Sequence, residues 1–221
     1  MKPLSVVLAL VFAAMIYQHR REAEPAQEHA ETAIAVCAEY GIAPHLAAAG
    51  SILRGWAIAA RGQAVEGIAE IRGGLAAVEP TGVRIRRPYY LASLAEASAW
   101  AGEIEQGLTA LAEAARIVEE TGERRWEAEI YRLTGELTLA RPGGDRTEAE
   151  RWFQRALDVA GCHNAKCLEV RAAISLARLW RDRGKRREAR ELLAPVYGWF
   201  TEGFDTPDLK QAKALLDKLA A

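Results

Sequence analysis

The side chains best suited to catalysis are dispersed along this sequence. The four histidines are scattered over different predicted turns and helices: His19, His29, His45 and His163. The serines all lie within predicted helices: Ser5, Ser51, Ser93, Ser98 and Ser175. A hydrolytic triad needs a nucleophile, a base and an orienting acid that converge, and no serine here lies in a nucleophile-elbow sequence. The glycine pairs Gly73-Gly74 and Gly143-Gly144 lack the lysine of a phosphate-binding loop. We therefore predict no intrinsic enzymatic activity and no cofactor.

The three cysteines favour thiols over a metal site or a disulfide framework. The run CHNAKC brings Cys162, His163 and Cys167 close together in sequence. Zinc ligands usually come as two close pairs, and no second pair is present. With Cys37 the cysteine count is odd, which argues against a disulfide framework and suits a reducing compartment. The sequence predicts no metal ligands and a cytoplasmic location.

Charge and composition narrow the functional classes further. Of 221 residues, 29 are basic and 30 acidic, which gives a formal net charge of −1. No global field therefore attracts nucleic acid or an anionic membrane, and the basic runs Arg84–Arg87 and Arg181–Arg187 are local. Because some helical repeats bind single-stranded RNA, RNA binding remains a less favoured alternative. Half of the sequence is apolar, it is rich in Ala, Leu, Glu and Arg, and strand-like alternation is missing, so the chain is expected to be helical.

The N-terminal segment has some features of a targeting sequence. Lys2 precedes the apolar stretch Leu4–Ile16, as in a secretory signal, but a clear small-residue cleavage site is weak. The stretch is too short for a membrane span of roughly 20 residues. Since the repeat described below places it as a first helix, we expect a packed helix and no membrane span. A signal or anchor is the minor alternative.

A helix-pair pattern organises the chain, and Tyr131–Ala156 shows it best. Small residues fall where two helices would touch (Gly135, Ala149, Ala156), with Phe153 as a large apolar residue between them. Three further series keep the same register at spacings of 40 or 42: the turn glycines Gly62, Gly102, Gly144 and Gly184; the small residues Gly67, Gly107, Ala149 and Ala189; and the large residues Ile71, Leu111, Phe153 and Leu193. A fixed period in this range is typical of solenoid proteins.

The register predicts an all-α chain of five helix pairs and a cap. The expected pairs are 4–20 with 24–40, 44–61 with 64–79, 87–101 with 104–121, 124–141 with 146–162, and 165–183 with 186–202. We treat residues 1–221 as one repeat domain, with repeats at 4–41, 44–82, 87–122, 124–164 and 165–203. Thr147 is expected to cap one second helix with Glu150, and Thr206 to cap a final helix at 207–219 that begins with Pro207.

The pattern of small residue, glycine turn, small residue and large apolar residue resembles the tetratricopeptide repeat (TPR). More narrowly, the ending LAPVYGWFTEGFDTPDLKQAKALL, together with EAEIYRLTGELTLA and EAERWFQRALDVA, resembles the C-terminal repeat region of bacterial adenylate/guanylate cyclase–AAA ATPase signalling proteins. The cyclase domain and the P-loop ATPase domain of those proteins have no counterpart in this sequence. The resemblance implies a TPR-like right-handed superhelical solenoid that serves as a scaffold or sensor.

Such a fold implies binding of a protein or peptide on the concave face, which the first helices line. Matching those positions selects Trp56, Tyr89, Glu96, Trp100, Arg132, Glu136, Arg178 and Arg181. Trp, Tyr and Arg often supply binding hot spots, but aromatic residues at helical spacing also pack between helix pairs. Both roles stay open for Trp56 and Trp100. The alternative function is that of a regulatory fragment or remnant, active only when joined to cyclase and ATPase domains.

Overall fold

The computed structural model describes residues 2–220, and this part of the chain contains eleven α-helices and no strand. The helices are α1 (Pro3–His19), α2 (Ala23–Tyr40), α3 (Pro44–Ala60), α4 (Ala64–Val78), α5 (Arg87–Trp100), α6 (Ile104–Thr121), α7 (Glu127–Ala140), α8 (Arg146–Cys162), α9 (Lys166–Asp182), α10 (Arg186–Gly198) and α11 (Pro207–Ala220). The prediction of an all-α chain built from helix pairs is confirmed.

The chain divides into two compact units, residues 1–114 and 115–221. In the first unit, α1 packs on α2, α2 on α3, and α3 on α4, and α5 packs on both α3 and α4. In the second unit, α7 packs on α8, α8 on α9 and α9 on α10, and the final helix α11 covers α9 and α10. Treatment of all 221 residues as one domain stays a prediction.

The repeated large residues lie in the cores of four of the helix pairs. Ile71, Phe153 and Leu193 are fully buried, and Leu111 is 1% exposed. Their small partners allow close backbone approach: a Cβ on Gly55 would lie 2.7 Å from the carbonyl oxygen of Gly67 on the neighbouring helix. Real Cβ atoms do not come this close to a carbonyl oxygen, so the α3–α4 contact requires glycine.

Two details of the α7–α8 turn and the α10 end differ from expectation. Within that turn, Gly143 adopts the left-handed conformation, with φ of 72°. Asp145, and not Thr147, caps α8, because its carboxylate accepts hydrogen bonds from the backbone N–H groups of Thr147 (2.7 Å) and Glu148 (3.1 Å). These bonds lower the pKa of Asp145. Helix α10 ends at 198 instead of 202, and Pro195, which lacks an N–H donor, lies in its last turn.

Helix α7 begins later than expected, and α11 begins at the expected residue. Residues 124–126 form a 3-10 turn, so α7 begins at Glu127 and not at 124. Pro207 occupies the first position of α11, as expected. The carbonyl of Thr206 accepts from the Lys210 N–H at 3.0 Å, while its hydroxyl donates to the carbonyl of Gly203 at 2.6 Å. The hydroxyl therefore secures the preceding turn.

Candidate functional site

In the first unit, four predicted site residues belong to one polar and aromatic cluster. The indole Nε1 of Trp56 on α3 donates to Oε2 of Glu96 on α5 at 2.7 Å. The other carboxylate oxygen, Oε1, is paired with Arg21, which follows α1. Trp56 is 1% exposed and Glu96 7% exposed. Helices α1, α3 and α5 are thus joined through a single buried carboxylate.

Tyr89 extends this cluster along α5. Its hydroxyl donates to Oε1 of Gln18 at 3.0 Å, and its ring stacks on that of His19 with centroids 6.2 Å apart. Tyr89 is buried, whereas the Trp100 ring, 6.1 Å from that of Trp56, is 44% exposed. Trp100 is therefore the exposed aromatic residue of this cluster. The buried members hold the surrounding helices in place.

In the second unit, Arg132 and Arg171 are buried arginines with carboxylate partners. Arg132 on α7 donates to both oxygens of Glu129 at 3.0 and 2.8 Å. Arg171 on α9 donates from Nε to Asp208 of α11 at 2.7 Å, and its Nη1 lies 3.8 Å from Glu129. Both arginines are less than 8% exposed. Because a buried guanidinium needs compensating acceptors, this network fixes how α7, α9 and α11 meet.

A cleft of about 310 Å³ opens beside this network. It contains three predicted site residues, and its full lining is Glu136, Leu139, Arg146, Ser175, Arg178, Leu179, Arg181 and Asp182. The Ser175 hydroxyl donates to Oε1 of Glu136 at 2.6 Å, and Arg132 lies 3.5 Å from the same oxygen. Arg178 donates to the Gln211 side chain at 3.0 Å, and Arg181 to Asp182 at 2.8 Å.

The charges of this cleft favour an anionic or mixed-charge ligand. Three guanidinium groups face two carboxylates there, and one of the carboxylates, Glu136, already accepts from Ser175 and Arg132. Arg178 is exposed, so it can exchange its neutral Gln211 partner for a ligand at little desolvation cost. Arginine suits such exchange because its planar fork binds carboxylates in bidentate fashion. The apolar stems of Leu139 and Leu179 complete the lining.

Sequence reasoning selected four residues that occupy one repeat position: Trp56, Glu96, Glu136 and Arg178. It missed Arg21 and Ser175, which contact Glu96 and Glu136, and it missed Gln18, which contacts Tyr89. Ser175 stands 39 residues after Glu136, one residue short of a full repeat. That spacing is the signal in the sequence, because residues about one repeat apart meet on adjacent first helices.

All three cysteines are free thiols. Within residues 2–220, no group of three His, Cys, Asp or Glu side chains is arranged to hold a metal ion. Cys162 and Cys167 are exposed free thiols, and burial raises the pKa of Cys37. Among the described helices, none combines the length and apolar character that crossing a membrane requires.

Comparison with solved structures places this arrangement among known helical repeats. The structure of the Rap protein complexed with competence and sporulation factor aligns with this chain at a TM-score of 0.76 and 19% identity. The alignment covers 99% of this chain and 58% of the Rap chain. The fold is TPR-like. TPR-like repeats of a putative kinesin light chain from Podosopora anserina match 90% of this chain and 96% of theirs, with a TM-score of 0.58 and 22% identity.

A multidomain signalling protein is also similar. The signal-transduction ATPase with numerous domains and a TPR sensor from Pyrococcus horikoshii matches 96% of this chain and 32% of its own, with a TM-score of 0.68 and 16% identity. At these identities the likeness concerns the fold alone.

By sequence, the chain is similar to a relative over part of its length. No protein-family model matches the chain. An uncharacterized protein of Rhizobium meliloti (strain 1021) is 31% identical over 128 residues, which are 58% of this chain. The aligned segment spans only 12% of that protein's length.

Proposed function

We propose that this chain is a non-catalytic, peptide- or protein-binding scaffold module, and that the α7–α9 cleft is its principal binding site. The observation that carries the proposal is the meeting of Glu136, Arg178 and Arg181 in one cleft. These residues come from two first helices, α7 and α9. The preferred ligand is a peptide with at least one carboxylate, because guanidinium groups outnumber carboxylates around the cleft.

The neighbouring buried network supports this use, because a rigid frame lowers the ordering cost of binding. Arg132 is held by Glu129, and Arg171 by Asp208, whereas Arg178 and Arg181 of the cleft are more exposed. The similar Rap structure was solved with competence and sporulation factor bound, which makes a ligand-binding role a reasonable expectation for this fold. In the first unit, Trp100 offers a second contact surface.

The binding test uses fluorescein-labelled decapeptide libraries of acidic, neutral and basic composition, measured by fluorescence polarisation. We expect acidic peptides to bind best. Arg178→Glu and Arg181→Glu should each weaken their binding by about tenfold or more, consistent with loss of one charged contact. Arg187→Glu is the matched control, because Arg187 is 84% exposed on α10 outside the cleft. Equal binding by all three libraries, or an equal loss with Arg187→Glu, would refute the proposal.

The alternative is that the chain acts as the C-terminal regulatory arm of a larger cyclase–ATPase protein. The match to a small part of a much longer Rhizobium meliloti protein favours this possibility, as does the resemblance of the ending LAPVYGWFTEGFDTPDLKQAKALL. A denaturing blot of source cells with an antibody to this segment separates the two. A band near 24.2 kDa supports the self-standing scaffold, and a band several times larger supports the regulatory arm.

We further propose a cytoplasmic location and no nucleic-acid ligand. The three cysteines are free thiols, which suits a reducing compartment. The formal net charge of the chain is −1, so no overall field attracts a phosphate backbone. Fractionation of source cells tests the location, and recovery in an oxidising compartment would contradict it.

A further inference from the structure

Two guanidinium groups that line the α7–α9 cleft have no acidic partner. Arg146, the first residue of α8, is exposed and belongs to the lining. Among residues 2–220, no ion pair or hydrogen bond engages its side chain. Arg178 on α9 is likewise exposed, and it donates to the neutral side chain of Gln211 at 3.0 Å. The cleft therefore holds two positive charges that are not paired with a carboxylate.

The other charges of the lining already have partners within the protein. Nε and Nη2 of Arg181 both contact Oδ1 of Asp182, each at 2.8 Å. Oε1 of Glu136 accepts from Ser175 at 2.6 Å and lies 3.5 Å from Nη1 of Arg132. A carboxylate whose oxygens already accept charge-assisted or short hydrogen bonds competes weakly for a further guanidinium. The two guanidinium groups without acidic partners therefore remain available to a ligand.

We propose, on the basis of the peptide-binding role proposed for this cleft, that it recognises a phosphoserine or phosphothreonine of the bound peptide. The phosphate group lies between Arg146 and Arg178. Such a group carries a charge of about −1.5 to −2 at pH 7 and presents three acceptor oxygens. A carboxylate offers a single charge and two oxygens, which suit one guanidinium fork. A phosphate group can therefore satisfy both arginines at once, and a single carboxylate cannot.

The size and the lining of the cleft suit one modified side chain. Its volume of about 310 Å³ lies at the lower end of the range for small-molecule sites, roughly 300–1,000 Å³. Leu139 and Leu179 give the lining an apolar part, which the carbon atoms of a bound side chain can contact. Among the described residues, none that lines the cleft is aromatic, so a nucleobase has no ring on which to stack. A phosphorylated side chain therefore fits the cleft better than a nucleotide.

Arg146 is the contribution of α8 to the lining of the cleft. Two acidic residues stand near it in sequence, and both have other contacts. The carboxylate of Asp145 accepts from the backbone N–H groups of Thr147 and Glu148, at 2.7 and 3.1 Å. The side chain of Glu148 accepts from Nε1 of Trp152 at 3.5 Å. Neither acid belongs to the residues that line the cleft, so the positive charge of Arg146 is available there.

Fluorescence polarisation of the full chain with four versions of the fluorescein-labelled acidic decapeptide library tests the phosphate preference. The versions carry at their centre a phosphoserine, a serine, one glutamate or two adjacent glutamates. The version with two glutamates matches the charge of the phosphoserine version without its oxygen geometry. We expect the phosphoserine version to bind about tenfold more tightly than the version with two glutamates, because one phosphate group can engage both guanidinium forks.

The Arg146→Gln variant removes one of the two guanidinium groups and keeps a polar side chain. It should weaken binding of the phosphoserine version by about tenfold and change binding of the one-glutamate version by less than about twofold, since one carboxylate needs only one fork. Arg187→Gln is the matched control, because Arg187 is 84% exposed on α10 outside the cleft, and it should leave all four affinities unchanged. Circular dichroism verifies that both variants remain helical.

The outcomes separate failure of the phosphate assignment from failure of the proposed function. If the version with two glutamates binds as tightly as the phosphoserine version, the cleft recognises charge alone, and only the phosphate assignment fails. If none of the four versions binds, both fail. Equal losses with Arg146→Gln and Arg187→Gln would overturn the role of Arg146. If inorganic phosphate displaces the peptide at a concentration equal to the Kd of the phosphoserine version, the site takes free phosphate and recognition of a phosphorylated side chain is refuted.

Discussion

Trp56 and Glu96 occupy the same repeat position, 40 residues apart, and are hydrogen-bonded to each other at 2.7 Å. The bond connects α3 to α5 through groups that are almost completely buried. Since Glu96 also pairs with Arg21, its two oxygens serve donors from two different elements. The contact shows how equivalent positions of neighbouring repeats hold successive first helices together.

The Glu96 carboxylate should contribute to the stability of the first unit. Glu96→Ala removes the acceptor of the Trp56 N–H and the ionic partner of Arg21, and should lower the free energy of unfolding by about 2–4 kcal/mol. Glu96→Gln keeps one acceptor and should cost less. Urea denaturation followed by tryptophan fluorescence measures both. Equal stability of Glu96→Ala and wild type would show that this cluster contributes nothing to holding the helices.

Gly135 should be intolerant of a side chain. A Cβ at this position would lie 2.5 Å from Cε1 and 2.7 Å from Cδ1 of Phe153, which is fully buried. We expect Gly135→Ala to lower the free energy of unfolding by about 1–3 kcal/mol, as overpacking does. The matched control is Gly161→Ala on α8, where a Cβ meets nothing within 4 Å. Thermal denaturation should show the control unchanged or slightly stabilised.

If Phe153 is the cause, a smaller residue there should relieve the strain. Phe153→Leu in the Gly135→Ala background should lose less stability than the sum of the two single changes, because the residues share one space. Strict additivity in a double-mutant cycle would mean that the Phe153 ring is not what excludes the methyl group.

Tyr131 should make the second unit sensitive to alkali. Burial, the hydrogen bond that its hydroxyl donates to Glu127 at 2.8 Å, and the Glu127 charge raise the pKa of Tyr131 to about 12. An unfolded tyrosine ionises near pH 10, so between about pH 10 and 12 the folded state binds the extra proton. The stability contributed by this group is therefore complete below pH 10 and lost as the pH rises through 12, and amounts to on the order of 2 kcal/mol.

The Tyr131→Phe variant separates the stability contributed by the Tyr131 hydroxyl from that of other groups that titrate in the same pH range. The stability advantage of wild type over Tyr131→Phe should be largest near pH 9 and should shrink toward pH 12, as measured by urea denaturation at each pH. An advantage independent of pH would mean that Tyr131 ionises equally well in the folded and unfolded chain.

Much of this structure follows from local pattern in the sequence. The series Ile71, Leu111, Phe153 and Leu193 predicts buried positions because only one register lets all four face a neighbouring helix. The residues that cap the helix ends are harder to predict. Asp145 and Thr147 are both good capping residues, and Asp145 is the cap because α8 begins at Arg146. Propensity cannot rank such alternatives when several are compatible with one loop.

The candidate site was only partly predictable for a related reason. Periodicity identified Glu136 and Arg178 as residues of one face, and they line one cleft. It could not reveal that Trp56 is fully packed while Trp100 is exposed, because burial depends on what the adjacent helices contribute. Arg21 was missed because it follows α1 in a turn, outside the helical period.

Hydrogen–deuterium exchange of the full chain with a selected acidic peptide is the most direct test of the binding proposal. We expect peptide-dependent protection in residues 136–140 of α7 and 175–182 of α9, which include the walls of the cleft. Arg178→Glu should abolish that protection, and Arg187→Glu should preserve it. Protection confined to α8 and α10, or unchanged exchange with the peptide in saturating excess, would contradict the assignment of the α7–α9 cleft as the binding site.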